Sequence, residues 1–417
     1  MANHIDTVVI GGGQAGLSVS WYLDKIHREH VVLDRGKPGD TWRNRWDSFC
    51  LVTPNRFCRL PGFPYAGNEP NGFMKRDEII GYVENFANSF ETPLQGDTEV
   101  HRVSHTADDG KYKIETATGD YLAENIIVAT GTHQHPKYPS WRNKLGDSIV
   151  QIHSSTYRNP GLLPEGAVLV VGSGQSGCQI VEDLRLAGRE TYLCVGKAAR
   201  IPRRYRGKDI IQWLFDAGFL DMPVDQHPMG LEIRFAPHEH LTGRDGGRTI
   251  NLRQLALNGV NLLGRLVDAD GSQLHIANDL EASLDAIDSE CAETLALIDQ
   301  YIADNEIEAP PDDLVPIDWR PGSIGATLDL QQADISSVIY ATGFTYDFSW
   351  IDLPIFDARG YPAYERGVTD SPGFYFVGLH WMHTAGSGLF SQVARDSKFV
   401  VDHLNQTRQS RGVDAVR

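Results

Sequence analysis

A glycine-rich turn near the start of the chain carries the clearest chemistry. Gly11, Gly13 and Gly16 follow the β-branched run TVVI (7–10) and precede a helix-like segment. In the pattern G-x-G-x-x-G the first glycine makes the turn, the second lets a pyrophosphate approach, and the third lets helix pack on strand. Asp34 ends the next apolar run, VVLD, where an acid would hold ribose hydroxyls. The pattern predicts a dinucleotide site at a helix N-terminus.

A second turn of the same kind follows the run AVLVV (167–171) and contains Gly172, Gly174 and Gly177. The strand after it, TYLCV, ends in Gly-Lys instead of an acid. A missing carboxylate beside cations favours the 2′-phosphate of NADPH over NADH. The alternative is that some of these cations pair with surface acids. The cations concerned are Lys197, Arg200, Arg203, Arg204, Arg206 and Lys208.

Two such turns, of which only the first has a ribose acid, imply FAD together with a nicotinamide cofactor that donates a hydride to it. Two further apolar runs, 125–131 and 337–343, both end in Ala-Thr-Gly, which suggests two related α/β domains. The pattern of residue types changes between about 205 and 335. There, residues 279–306 predict an amphipathic helix with a solvated acidic face, and a proline-rich connector follows.

Composition narrows the class of protein. The 417 residues carry 38 Lys+Arg and 55 Asp+Glu, a net charge of −17, which disfavours nucleic acid and anionic membranes as partners. No apolar run approaches the roughly 20 residues that span a bilayer, and the N-terminus does not resemble a secretory signal. The five cysteines form no C-x-x-C pair, and the histidines lack metal-ligand spacing. We therefore expect a cytoplasmic protein with no metal site.

Several blocks resemble the class B flavin-dependent monooxygenases, which include flavin-containing, Baeyer–Villiger and auxin-forming enzymes, and most of all their short bacterial branch. G-D-T-W (39–42) and R-W-D (45–47) resemble the block beside the flavin, and F-C-R-L-P (57–61) resembles a segment of the auxin-forming enzymes. A-T-G (129–131) and A-T-G-F (341–344) resemble the two crossings between domains.

The family fingerprint F-x-G-x-x-x-H-x-x-x-Y/W is half present. His153, Tyr157 and Arg158 fit its second part, whereas Asp147 and Ile149 occupy the Phe and Gly positions. At another point the family has an asparagine or histidine near the flavin C4a. Here that position holds Val52, and Asn55 is the nearest polar substitute.

The resemblance implies an α/β fold with two Rossmann-like dinucleotide-binding domains, the second inserted in the first, and a helical insertion. Residues 1–160 and 335–417 would form the FAD domain, and 161–334 the NADPH domain with a divergent insertion at about 205–330. A C-terminal helix starting near Ser387 would direct its N-terminus at the flavin. Family members also suggest a homodimer.

The same resemblance gives a set of site residues. Asn55, His380 and His383 are the candidate catalytic residues, although the two histidines could equally be structural. Trp381 should lie beside them, near the isoalloxazine. The candidate cofactor-binding residues are Gly11, Gly13, Gln14, Ala15, Gly16, Asp34, Arg35, Thr41, Trp42, Trp46, Thr53, Thr130, Gly131, Gly172, Gly174, Gln175, Ser176, Gly177, Lys197, Arg200, Arg204, Ala341, Thr342, Gly343, Gly378, Ser387 and Gly388.

The implied reaction is monooxygenation of a small molecule. NADPH would reduce FAD, O2 would add at the flavin C4a as co-substrate, and one oxygen would pass to an amine, a sulfide or a carbonyl. The first alternative is an NADPH-dependent oxidase or reductase without substrate oxygenation. The second is a non-catalytic nucleotide-sensing subunit, which would bind FAD without oxidising NADPH.

Overall fold

The structure is a computed structural model that describes residues 2–106, 110–237, 239–322 and 325–414, with side chains described up to residue 407. In chain order the strands are β1 (Asn3–Ile10), β2 (His30–Leu33), β3 (Arg59–Leu60), β4 (Phe63–Pro64), β5 (Leu94–Gln95), β6 (Val100–His105), β7 (Tyr112–Thr116), β8 (Tyr121–Val128), β9 (His135–Pro136), β10 (Val150–His153), β11 (Ala167–Val171), β12 (Thr191–Cys194), β13 (Arg204–Tyr205), β14 (Lys208–Asp209), β15 (Asn261–Leu263), β16 (Leu266–Asp270), β17 (Gln273–Ile276), β18 (Thr327–Asp329), β19 (Ile335–Tyr340), β20 (Phe344–Thr345), β21 (Ile351–Asp352) and β22 (Phe374–Phe376).

The helices are α1 (Gln14–Lys25), α2 (Asp40–Arg43), α3 (Arg76–Asn88), α4 (Gln175–Leu186), α5 (Ile210–Asp216), α6 (Leu252–Leu257), α7 (Leu280–Asp304) and α8 (Val393–Asp414). Short 3-10 turns lie at Asn55–Phe57, Ser140–Lys144, Pro160–Leu162, Phe219–Asp221, Val224–Gln226, Gly230–Phe235 and Arg244–Gly246. Within these described ranges, no helix is both long and apolar enough to cross a membrane.

The first sheet has the parallel strands β5, β2, β1 and β8 at its centre, and β22 pairs in parallel with the end of β8. Val8 and Val9 of β1 are fully buried, because one face of the sheet is covered by α1, α3 and α8 and the other by residues 348–382. A strand buried on both faces reads as a continuous apolar run, which is how the sequence showed it. Antiparallel β7 and β6, followed by β21, extend the sheet.

The second sheet repeats this plan. Its order is β10-β19-β11-β12-β15 and every pairing is parallel. An antiparallel three-stranded sheet, β16-β17-β18, packs beside it, and the apolar core includes Leu169, Val338 and Leu274. Because strands 150–340 lie between strands of the first sheet, the second unit is inserted in the first. This confirms the predicted α/β fold with two Rossmann-like units.

The two chain crossings between the sheets pair with each other. β9 and β20 form an antiparallel pair in which Phe344 lies opposite Pro136. The Lys137 N–H donates to the carbonyl of Gly343 at 3.0 Å. The connection that leaves the first unit and the one that returns to it therefore bond to each other directly, and this contact helps to hold the two units together.

The predicted C-terminal helix begins later than expected. Residues 387–392 form turns, and α8 starts at Val393 rather than near Ser387. Gly388 has φ +83°, a left-handed conformation that an α-helix does not contain. The helical spacing of apolar residues continues through Gly388 in the sequence, and for that reason the predicted start of the helix was wrong.

The segment 205–330 is helical only in part. The predicted amphipathic helix is present as α7, and its buried face holds Leu284, Ile287, Cys291 and Ile298. Residues 261–276 form β15, β16 and β17, which complete the second unit's own sheets. These strands are short and lack a long apolar run, so their pattern was hidden beside the strong helix signal.

Candidate functional site

The first glycine turn forms a cradle between β1 and α1. Gly11 has φ +110°, and a Cβ there would meet the carbonyl oxygen of Ala129, the first residue after β8. A Cβ on Gly16 would meet the carbonyl of Gly11, so helix and turn are in contact. Beside Gly13, by contrast, no atom lies within 4 Å of where a Cβ would stand. The open side of the turn is thus at the second glycine, where phosphates would approach.

Asp34 lies at the carboxyl end of β2, next to this turn. Its carboxylate accepts hydrogen bonds from the backbone N–H of Gly12 and, at 2.7 Å, from that of Gly36. The side chain is only partly buried. It is therefore held at the rim of the cradle, where a ribose-binding acid would lie.

The second glycine turn repeats the first in detail. Gly172 has φ +106°, and a Cβ there would meet the carbonyl of Ala341, which follows β19 as Ala129 follows β8. A Cβ on Gly177 would meet the carbonyl of Gly172. The nearest atom to a Cβ on Gly174 is 4.0 Å away. Both turns are therefore closed at the first and third glycines and open at the second.

The strand ends beside the two turns differ. In the second unit the N–H of Gly196 donates to the hydroxyl of Ser173 at 2.9 Å, so the turn supplies the acceptor and the strand end the donor. Lys197 follows, exposed. The anionic edge of the first cradle is thus replaced by a cationic one.

Each turn is followed by a glutamine that holds a distant loop. The amide of Gln14 donates to the carbonyl of Gly388, and a Cβ on Gly378 would touch Ala15. In the second unit the N–H of Leu241 donates to Gln175 Oε1 at 2.9 Å, and Gln175 Nε2 donates back. These loops therefore frame the N-termini of α1 and α4, and Ser176 lies in the first turn of α4.

The basic residues after β12 are mostly engaged within the protein. Arg200 Nε donates to Asp288 at 2.7 Å, and Arg204 donates to the carbonyls of Gly246 and Gly247. The bond pairs of the others are Arg203 with Asp209, Arg206 with Asp299, and Lys208 with Asp216. Several cations thus do pair with acids, as the alternative interpretation expected.

The predicted flavin-side residues lie in different surroundings: Trp42 packs on the core of the first unit, whereas Trp46 belongs to the core that includes Val168 and Val170 of the second. The Trp42 ring stacks on Phe390 with centroids 5.6 Å apart, and Trp46 is buried against Phe49. Thr53 is half-buried, whereas Arg35, Thr41 and Thr130 are exposed. Gly131 has φ +69°.

On the return crossing, the Thr342 hydroxyl bonds to the carbonyl of Lys137.

Asn55 is part of the internal structure of its loop. It is buried, its Oδ1 accepts from the N–H of Met74 at 2.7 Å, and its Nδ2 donates to the carbonyl of Glu69 at 2.9 Å. Neighbouring Val52 is half-buried, and its carbonyl accepts from Arg203 at 2.8 Å. A flavin-directed role for Asn55 stays a prediction, and one N–H of its buried amide would be left for it.

The loop 378–388 carries the candidate histidines. The Ser387 hydroxyl accepts from the N–H groups of His383 and Thr384, both at 3.1 Å. Burial and the nearby Arg366 lower the pKa of His383, with Asp396 opposing, so its imidazole is neutral at pH 7. His380 is half-buried.

Sequence reasoning missed a clamp on this loop. Met222 and Leu220 accept from the N–H groups of Ala385 and Gly386, and Arg234 donates to the carbonyl of Trp381 at 3.1 Å. Trp381 has φ +47°, unusual for a bulky residue, and its ring contacts Phe219 and His227. The segment 219–235 therefore holds the loop in a strained form. Its sequence contains no motif, and the burial of Arg234, which marks its role, is visible only in the structure.

The fingerprint residues join the two units. His153 Nε2 lies 3.0 Å from the carbonyl of Gly343, and burial lowers its pKa to about 4. The Tyr157 hydroxyl donates to Asp183 of α4 at 2.8 Å. Arg158 donates to the carbonyl of Asn44. The half of the fingerprint that is present thus has a structural use.

Comparison with known proteins gives matches along the whole chain. A family model described as pyridine nucleotide-disulphide oxidoreductase matches residues 8–212. An uncharacterised CzcO-like oxidoreductase of Geobacillus kaustophilus is 32% identical over 407 residues, which are 97% of this chain and 99% of the relative. The indole-3-pyruvate monooxygenase YUCCA1 of Oryza sativa is 28% identical over 204 residues, 48% of this chain and 50% of the plant protein.

A flavin-containing monooxygenase from Stenotrophomonas maltophilia has the same fold, with a TM-score of 0.65 at 19% identity over 97% of this chain and 99% of that one. Two duplicated cradles and these matches define the class, an oxidoreductase. The chain belongs to the family of the bacterial CzcO-like oxidoreductases, and it is similar to flavin monooxygenases in part of its sequence and in its fold.

Proposed function

We propose that this protein is an FAD- and NADPH-dependent monooxygenase that transfers one oxygen atom from O2 to a small molecule. The observation that carries the proposal is the pair of matching cradles with opposite strand ends, Asp34 in the first and Lys197 in the second. In this scheme residues 1–160 and 335–417 hold FAD, and residues 161–334 hold NADPH.

The residues of the first cradle fit FAD. The turn leaves open space at Gly13, the first N–H groups of α1 point out of it, and Asp34 is presented at the rim for ribose hydroxyls. Bound there, FAD would supply hydride acceptance and oxygen activation. The loop 378–388 packs at the same helix end, and its neutral His383 is a candidate to hold a proton during the reaction.

The residues of the second cradle fit NADPH. Gly174 leaves the corresponding space, and the strand end lacks a carboxylate that would repel a 2′-phosphate. Lys197 and Arg200 are the cations nearest in sequence to that strand end. The clamp 219–235 bonds to the loop 378–388, which is held at the first cradle by Gln14, and it would help to exclude water there.

The substrate class is a soft nucleophile such as an amine or a sulfide, or a carbonyl compound. The S. maltophilia and rice proteins are named as monooxygenases, which supports oxygen transfer as the reaction type. The segment 205–330 supplies the clamp, so its side chains are the ones placed to select a substrate.

The test begins with anaerobic reduction of the purified yellow protein by NADPH, with NADH in parallel. Reduced protein is then mixed with oxygenated buffer while spectra are recorded. We expect faster reduction by NADPH and a transient band at roughly 360–390 nm that belongs to neither oxidised nor reduced flavin. Direct return to the oxidised spectrum would contradict a monooxygenase.

A second candidate, an NADPH-dependent oxidase or reductase, is favoured by one specific observation. Val52 is apolar, and both ends of the Asn55 amide are used inside the loop. One N–H of the Asn55 amide is left, but it belongs to a buried side chain already held in its loop, so the side chains at this point offer an oxygenated flavin little hydrogen bonding. Direct reoxidation with release of one H2O2 per NADPH would establish this candidate instead.

A further inference from the structure

Arg200 stands at the edge of the second cradle. The preceding residues are fixed there by the bond from Gly196 N–H to Ser173, and Ala198 is the nearest neighbour of the open Gly174. Arg200 itself forms a backbone bridge with His240, whose neighbour Leu241 is held by Gln175. The arginine is therefore tied to the cradle from both sides.

Only one edge of the Arg200 guanidinium is used inside the protein. Nε donates to Asp288 Oδ1 at 2.7 Å, and within the described part of the chain the two terminal nitrogens make no hydrogen bond. The side chain keeps 18% of its surface exposed. A guanidinium held by Nε presents its remaining fork to an incoming anion, and a phosphate accepts such a fork.

Asp288 is itself rigidly held. It lies on α7 between the buried Ile287 and Cys291. Its second oxygen accepts from Arg253 Nε at 2.8 Å. Arg253 is 4% exposed and is fixed further by Asp285 at 2.6 Å and by the carbonyl of Trp319 at 2.7 Å.

The charges around Arg200 do not cancel it. Asp288 is shared between Arg200 and Arg253, so its charge is not spent on Arg200 alone. Burial and the charge of Arg200 lower the pKa of His240 to about 4, so this neighbour is neutral at pH 7. The sequence pattern predicted that the acids of α7 face solvent, whereas Asp288 binds Arg200 at the second cradle.

We propose that Asp288 is a positioning residue that fixes the Arg200 fork for the 2′-phosphate of the nicotinamide cofactor and thereby sets selectivity for NADPH over NADH. This inference rests on the proposed function, because it assumes that the second cradle binds NADPH. It assigns to helix α7, which lies outside both glycine turns, a share in the choice of cofactor.

The experiment is equilibrium binding of NADP⁺ and NAD⁺ to the FAD-loaded protein, followed by fluorescence at constant ionic strength. Asp288→Ala removes the acceptor of Arg200 Nε, and we expect NADP⁺ affinity to fall about tenfold while NAD⁺ affinity changes less than about twofold. Asp288→Asn keeps an acceptor oxygen and should retain more of the preference. Arg200→Gln should lose as much of it as Asp288→Ala.

Asp304→Asn is the matched control. Asp304 lies on the same helix α7, is exposed, and accepts from Gln300 instead of an arginine. We expect its NADP⁺ affinity to equal that of the wild type. Thermal unfolding of each variant shows whether it is folded.

The outcomes separate the two claims. A wild type that binds NADP⁺ and NAD⁺ equally would overturn both the proposed use of NADPH and this inference. A wild type that prefers NADP⁺ while Asp288→Ala binds it equally well would overturn the inference alone. Tighter NADP⁺ binding by Asp288→Ala would also overturn it, since Asp288 would then act as a competitor of the phosphate.

Discussion

Single residues decide where each cradle is closed and where it is open. Gly13 and Gly174 have φ −79° and −71°, values that alanine adopts readily, and no atom stands within contact distance of the missing side chain except Ala198 at 4.0 Å. Their role is therefore not to relieve backbone strain. They keep space for a ligand.

This gives a prediction that separates folding from binding. Gly13→Ala should have the thermal stability of the flavin-free wild type but bind flavin at least about tenfold more weakly, since contact between its methyl group and the phosphates would cost more than about 1.4 kcal/mol of binding free energy. Gly174→Ala should stay yellow and bind NADP⁺ at least about tenfold more weakly. Flavin absorbance per protein, NADP⁺ titration and calorimetry measure these effects. Gly16→Ala is the control for folding: its methyl group would clash with the Gly11 carbonyl, so it should lower the unfolding temperature. Full flavin content in Gly13→Ala would refute the assignment of FAD to the first cradle.

At the scale of elements, α8 combines a packing face with a buried acid. Val393, Val400 and Leu404 pack in the core that includes α1. Asp396 is fully buried, and neither of its carboxylate oxygens has a hydrogen-bond partner among the described residues. Burial raises its pKa, although Ser387 and the charges of Arg395, His383 and Arg366 act in the opposite direction.

The sign of the pH effect follows from this raised pKa. An unfolded Asp ionises near pH 4, whereas folded Asp396 keeps its proton to higher pH. Between those two values the folded state binds more protons, so stability falls as pH rises, and the loss is complete above the folded pKa. Asp396→Asn should therefore unfold about 2–4 °C above the wild type at pH 8, roughly a 1 kcal/mol effect, and should match it near pH 4.

Calorimetry of Asp396→Asn across pH 4–8 is the measurement. Asp402→Asn is the control on the same helix, because Asp402 is exposed and pairs with Lys398. Its stability should differ little from the wild type at either pH. A constant difference between Asp396→Asn and the wild type would show that the carboxyl does not titrate in this range.

At the scale of the whole molecule, a buried arginine joins the two units. Arg203 lies in the second unit, is 1% exposed, and donates to the Val52 carbonyl of the first unit at 2.8 Å. Asp209 binds its other nitrogens, and its guanidinium lies 4.6 Å from the Phe73 ring. Burial lowers the pKa of Arg203, which Asp209 opposes.

Arg203→Met should lower the free energy of unfolding by about 3 kcal/mol, because it leaves Asp209, whose side chain is only 14% exposed, without its cation. Calorimetry of the FAD-loaded protein measures the loss. Arg102→Met, which removes an exposed pair with Asp352, should leave it nearly unchanged. Equal stability of the two variants would contradict a role for Arg203 in joining the units.

Much of the fold was readable from local pattern. The runs at 7–10 and 167–171, the two glycine turns and α7 were all predicted and are present, because burial on both faces and helical spacing leave strong marks in the sequence. The two short connecting crossings were also found. The strands of 261–276 and the start of α8 were not predicted. Short strands, and a left-handed glycine within a helical spacing of apolar residues, leave only weak marks in the sequence.

The sequence by itself determined which residue types stand at each cradle, because turn geometry and phosphate approach demand glycine at set intervals. It could not determine which charged and polar side chains remain available to bind a ligand. Arg200, Arg204 and Asn55 all received a role from their position in the chain, yet their partners, Asp288, the carbonyls of Gly246 and Gly247, and Met74, come from other segments. Only tertiary structure brings those segments together, because a hydrogen bond acts over about 3 Å and depends on where the whole chain folds back.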